Sequence, residues 1–364
     1  MSPEPHPGPF EDAGPSSGVP SSDAPPSYRA PGVMEEPEPR TGFLPGVLRF
    51  FVVPLVLVGA SVGVFAVLGA VVNSEPSGPH ELIRAIAEGG KNARWQAAQE
   101  ISNLVHRGDL DLRRDESLTA ALAEALERAR ATGDDPRVIQ HLAVLLGRGH
   151  PVPARPALER ALADGEPDVR IFALAALAEL GEPGSLEAAS HRLRDLDPAV
   201  RAMAAYAVPA LMAKGGVEDA AAREAVAGVL GDPEVDVRWN AALGLARLGD
   251  PAGAEVIWGM IHRDHVRPNL RSGDPGAGGG FLAPRGADPD SAADREDRVV
   301  LNALSAVYRL KDRSMLPGVR ELAAADPSPA VQSWAMKTQA LLEEEVRSRG
   351  AVPERSWTAA RRQP

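Results

Sequence analysis

Side chains able to do chemistry are sparse in this 364-residue chain. The densest set is His262, Asp264 and His265 in "HRDH", two imidazoles and a carboxylate that could ligate a divalent cation but fall short of the four donors of a closed structural zinc site. His80 and Glu81 form an isolated His-Glu pair. "GDPGAGGGF", residues 273–281, is glycine-rich, but it lacks the preceding strand, the Lys and the Ser/Thr that a P-loop uses to hold phosphate and magnesium. With no Cys there is no disulfide, thiolate nucleophile, Cys-ligated zinc or iron-sulfur site. No Ser-His-Asp constellation stands out either. These residues predict a non-enzyme with no catalytic residue, cofactor or metal. They leave binding as the mode of action, with Trp95, Trp239, His262, Asp264 and His265 as candidate partner contacts. Trp95 follows Arg94 in "ARWQAA" and Trp239 follows Arg238 in "VRWNAA", so each pairs an aromatic ring with a cation as binding hot spots do. The competing reading is that both rings pack between structural repeats.

Elements must position these residues, and composition says which kind. Only 4% of residues are aromatic while Ala and Leu crowd the middle of the chain, which favours closely packed helices over half-buried strands. The expected fold is all-α. Asp and Glu exceed Lys and Arg by 50 to 39, giving a net charge of -11, which argues against a partner held by its phosphates and hence against nucleic acid.

Residues 1–42 are dominated by Pro, Ser, Gly and acids and bury too little apolar surface to offset chain entropy, so a disordered tail is expected. Residues 43–73 follow as a membrane segment. Within it "FFVVPLVLVGASVGVFAVLGAVV", residues 50–72, holds no charged side chain and at about 1.5 Å per helical residue is long enough to cross a hydrocarbon core of roughly 30 Å. One bilayer crossing is predicted, in a membrane of bacterial inner-membrane type. Arg40 and Arg49 lie on one flank and the first base beyond the other is Arg84, which puts the tail in the cytoplasm and the C-terminal region outside it. Gly59, Gly63, Ala66 and Ala70 share one stripe of the span, where a second copy could approach to form a homodimer.

From residue 76 to 346, helical periodicity is broken by turn signals at short, regular intervals, the pattern of helix pairs stacked side by side. In residues 167–180 Val169, Phe172, Ala173, Ala176, Leu177 and Leu180 make one broad apolar face, and Gly181 is the stop. Asp135-Pro136, Asp197-Pro198, Asp232-Pro233 and Asp326-Pro327 read as helix starts, with the carboxylate capping free N–H groups and Pro in the first turn. Second helices of seven pairs fall near 91–105, 135–147, 167–180, 198–213, 235–248, 296–311 and 328–346.

The cadence of "EPDVRIFALAALAELG", "DPAVRAMAAYAV" and "DVRWNAALGLARLGD" resembles HEAT repeats of the short bacterial kind also found in phycobilin lyases. The resemblance covers about three quarters of the chain. It implies an α-solenoid in which a recurring Arg ties one repeat to the next, here Arg94, Arg170, Arg201 and Arg238, with the ladder interrupted where Ile139, Val300 and Gln332 take the equivalent place. Residues 264–294 read as an exposed insertion loop in the sixth pair, and 347–364 as a basic disordered tail. The resulting expectation is a membrane-anchored, non-catalytic scaffold for protein partners. The alternative that the resemblance allows is an accessory or lyase-like enzyme of the phycobilin-lyase type. A di-iron hydroxylase of the same architecture would need several His-Glu pairs, of which this chain shows His80-Glu81 alone.

Overall fold

The computed structural model describes residues 52–72, 78–270 and 292–349. The expected tails, 1–42 and most of 347–364, and residues 271–291 of the insertion lie outside them. Residues 1–73 and 74–364 form two separate units. The described residues form sixteen α-helices and no strand.

The first unit contains α1 (Val53–Val72), twenty residues without a charged side chain. Leu55 and Phe65 are 72% and 76% exposed. Among the described residues no helix is long and apolar enough to cross a membrane.

The second unit is built of helix pairs. In order these are α2 (Pro79–Glu88) with α3 (Lys91–Arg107), α4 (Glu116–Thr132) with α5 (Pro136–Gly147), and α6 (Pro151–Ala161) with α7 (Pro167–Leu180). Next come α8 (Leu186–His191) with α9 (Pro198–Gly215) and α10 (Ala220–Gly228) with α11 (Val235–Arg247). The sixth pair has α12 (Ala254–Met260), the short α13 (Arg263–Val266) and α14 (Ala292–Leu310), and the seventh α15 (Leu316–Ala325) with α16 (Pro329–Arg349). The second helices start within a few residues of where the turn signals put them. Each packs on the next, α3 on α5, α5 on α7, and so on to α16, which is the neighbour-to-neighbour order of a solenoid.

Burial follows from that order. The core runs from Leu82 to Leu342 as two clusters that meet on α11, where Leu245 belongs to one and Ala246 to the other. Near the centre, α7 departs from the expected single face. Ile171, Leu174 and Ala178 are buried together with the predicted Val169, Phe172 and Leu177, because α5 and α9 cover both flanks while α6 packs below. The helix stops as read, with Gly181 at φ 76, a left-handed conformation that Gly adopts without steric cost.

Two of the four predicted starts are corrected. Asp135 accepts from the Arg137 N–H and Asp197 from those of Ala199 and Val200, as caps with Pro at the first helical position. Asp232 and Asp326 sit outside their helices instead, because α11 begins at Val235 and α16 at Pro329. Their carboxylates accept from the N–H groups of Glu234 and Ser328 and have another partner.

Candidate functional site

That partner is an arginine of the preceding repeat. Arg201, in the first turn and a half of α9, donates from Nε and Nη2 to both oxygens of Asp232 at 2.8 and 3.0 Å, and from Nη1 to the carbonyls of Asp195 and Leu196. One guanidinium thus fixes its own inter-helix turn and grips the next. Arg170 repeats the geometry, with both Asp195 oxygens at 3.0 and 2.8 Å and the carbonyls of Asp164 and Gly165. Arg94 reaches Asp134 at 2.5 Å and the carbonyl of Gly89. Arg238 bonds its own turn at the carbonyls of Asp232 and Pro233. A planar fork with five N–H groups suits this double task, which a Lys ammonium could not perform.

The carboxylates respond. Burial acts to raise the Asp195 carboxyl, but hydrogen bonds from Arg170 and the Asp197 N–H, with the charges of Arg170 and Arg192, outweigh it and hold the group below its ordinary value. Asp232 is lowered in the same way, burial being overcome by Arg201, the Glu234 N–H and the nearby charge of Arg238.

Where the sequence interrupts the ladder, other elements supply the rung. Ile139 is buried, and Asp164 is met by Arg130, from the last turn of α4, at 2.7 Å. Val300 is also buried, and Asp326 is gripped by Arg263 of α13 at 2.8 and 2.7 Å. Neither substitute occupies the repeat position, so register alone did not reveal it. A readable signal did exist, since Asp164, Asp195 and Asp232 each stand six residues before Arg170, Arg201 and Arg238.

Arg263 also corrects the expected loop. Residues 263–269 form α13 followed by a turn of 3-10 helix, with Val266 buried. The Arg263 guanidinium lies within 3.2 Å of Glu296 and 2.6 Å of Asp297, and Arg267 pairs with Glu296, so both ends of the insertion are tied together at its base. Asp326 and Glu296 are nearly inaccessible, and their bonds together with Asp297 push the Arg263 pKa further up.

The remaining candidates are dispersed. His262 bonds the Trp258 carbonyl through Nδ1 and its ring lies 4.5 Å from that of Trp258, Asp264 is exposed, and His265 is 6.1 Å from His262. Among the described residues no three His, Asp or Glu side chains are placed to hold a metal ion. His80 and Glu81 sit at the start of α2. Trp239 is 8% exposed and sits in the core, and Trp95 is half-buried with Arg137 over its ring at 6.0 Å. Gly59 and Gly63 have nothing within 4 Å of where a Cβ would stand, while the side chains of Ala66 and Ala70 lie outside the described residues. An open cleft of about 560 Å³ lies at the first rung, lined by Gly89, Arg94 and residues 132–136.

The family model described as HEAT repeats matches residues 119–209 and 192–272. The chain carries HEAT-like repeats. Similar solved structures include human deoxyhypusine hydroxylase in complex with glycerol, at 16% identity over 73% of this chain and 96% of that one, TM-score 0.32. An archaeal HEAT-like repeats protein from Thermococcus onnurineus NA1 is 16% identical over 74% and 99%, TM-score 0.32. An engineered protein is 15% identical over 73% and 96%, TM-score 0.34. Among curated proteins none matches this chain. These likenesses carry no argument about activity.

Proposed function

We propose that this protein is a membrane-anchored, non-catalytic scaffold whose HEAT-like repeats hold protein partners beside a bilayer. The observation that carries the reading is the run of guanidinium grips that joins the first five helix pairs through Arg94, Arg130, Arg170 and Arg201, with Arg263 joining the sixth to the seventh. Such rungs hold successive repeats at a set spacing, which a surface that must match an extended partner needs. Anchoring is supported by the uncharged run of residues 50–72 and by the exposed apolar side chains on α1. In this reading the repeats lie outside the cytoplasm, and Gly59, Gly63, Ala66 and Ala70 form a seam between two copies.

The test is detergent extraction of the full-length protein after in-cell crosslinking. It should resist carbonate extraction, co-purify with specific proteins, and lose its own dimer crosslink in Gly59→Leu/Gly63→Leu. Recovery in the soluble fraction would remove the anchor. Stoichiometric bilin or metal uptake with turnover would remove the scaffold in favour of a lyase-like enzyme.

A further inference from the structure

The second helices share a register that defines a surface. Five residues past the ladder position stand Gln99 of α3, Val144 of α5, Ala175 of α7, Tyr206 of α9, Leu243 of α11, Ser305 of α14 and Lys337 of α16, every one partly or fully exposed although the residues on either side of the members on α5 to α14 are buried. At 100° per residue this position lies away from the buried face, so the seven form one stripe running from repeat to repeat. Its members on α5, α7, α9 and α11 are apolar, and those on α3, α14 and α16 are polar or charged.

Four residues further along, 40° round, the register places Asn103, Arg148 at the end of α5, Glu179, the buried Ala210, Arg247, Arg309 and Leu341, so its charged members are three arginines and one acid. Glu179 is neutralised by Lys214 at 2.8 Å. The apolar stripe is therefore edged with positive charge in a chain whose net charge is -11. One edge cation, Arg247, and the stripe's own Lys337 are held in place by aromatic rings. Arg247 lies over Tyr206 at 5.1 Å, and Lys337 lies over Trp334 at 4.8 Å and Tyr308 at 5.3 Å, the two rings meeting edge to face. Among the described residues neither Arg247 nor Lys337 has a carboxylate within ion-pair distance. Ring stacking orients a cation without consuming its hydrogen-bond donors.

We infer that this stripe docks an acidic, amphipathic protein segment, its apolar side on Val144, Ala175, Tyr206 and Leu243 and its carboxylates on Arg247 and Lys337. The inference rests on the scaffold reading and names the surface and the partner chemistry it would use. Two helix spacings of roughly 8–10 Å separate α11 from α16, so the two carboxylates stand roughly 16–20 Å apart. That is about eleven to thirteen residues along a helix.

The probe is a pair of fluorescent Leu-rich amphipathic peptides, one with Glu residues twelve apart and one with Lys at the same places. Each is titrated by anisotropy into full-length protein in detergent micelles. The acidic peptide should bind at least about tenfold more tightly than the basic one, and Arg247→Ala/Lys337→Ala should abolish that preference while leaving the melting temperature unchanged. Arg247→Lys/Lys337→Arg keeps both charges and should retain it. Equal binding of the two peptides, absence of binding, or an unchanged preference in the double Ala variant would overturn the inference. Crosslinked partners that persist in the double Ala variant would place the docking surface elsewhere and leave the scaffold standing, whereas a wild-type protein that yields no partner would remove the scaffold itself.

Discussion

Arg201→Met isolates one rung of the ladder. The Met stem fills most of the volume of the aliphatic part of Arg, so the change removes the guanidinium with little cavity. Four hydrogen bonds are lost, two to Asp232 and two to the carbonyls of Asp195 and Leu196. Asp232 is only 9% exposed in its side chain and keeps one strong contact, the Glu234 N–H at 3.0 Å. Removing one partner of a fully buried ion pair costs about 3–5 kcal/mol, chiefly because a charge is left uncompensated. Arg201 retains 16% exposure and Arg238 adds a nearby positive charge, so the expected loss is smaller, about 2–3 kcal/mol. Arg201→Met/Asp232→Asn should recover about 1–2 kcal/mol of it, since the stranded charge is gone. Because repeats touch only neighbours, the loss should be local. Hydrogen exchange of full-length protein should speed up in α9, α10 and α11 and stay unchanged in α2 and α3. A loss under about 0.5 kcal/mol would class the rung with solvent-exposed ion pairs. Uniform deprotection along the chain, or a double variant no better than Arg201→Met, would refute the reasoning that the rung is a local, desolvated grip.

Other expectations follow from the same contacts. Arg263→Met strands Asp326 and Asp297, leaves Glu296 to Arg267 alone, and should cost more than Arg201→Met in chemical unfolding, with α16 losing exchange protection first. Gly244→Ala would put a Cβ 2.5 Å from the Pro209 ring and 3.0 Å from the Ala205 carbonyl, where α9 and α11 touch, so a melting-temperature drop corresponding to about 1–3 kcal/mol is expected. The folded pKa values of Asp195 and Asp232 lie below the ordinary one, so their stabilisation is fully present above the unfolded value near 3.9 and fades as pH falls through the folded values. Thermal stability should therefore be flat above about pH 5 and fall below it, with a shallower fall in Asp195→Asn/Asp232→Asn. Asp197→Ala removes the cap on two N–H groups of α9 and should cost about 1 kcal/mol in the same assay.

The all-helical fold and the places of its second helices were legible because each repeat states them independently. Apolar residues recur at helical spacing, a carboxylate or Gly closes each turn, and an error in one unit is exposed by the others. Arg94, Arg170 and Arg201 were legible for the same reason, whereas Arg238, expected to tie one repeat to the next, bonds only the carbonyls of its own turn. The shared meaning of Asp232 and Asp326 was not, because a carboxylate beside Pro looks identical whether it caps the next helix or waits two residues earlier for an arginine. Arg130 and Arg263 were invisible to register, since they reach vacant rungs from helices that carry no repeat signal there. Periodic local pattern sets the helices and their faces through chain-local sterics and burial. Which Arg meets which Asp, which Trp is covered, and where cations rest on rings depend on side chains 25 to 63 residues apart being brought together. Only the stacked structure decides those pairings, because their energy exists only once the neighbouring repeat has excluded water from both partners.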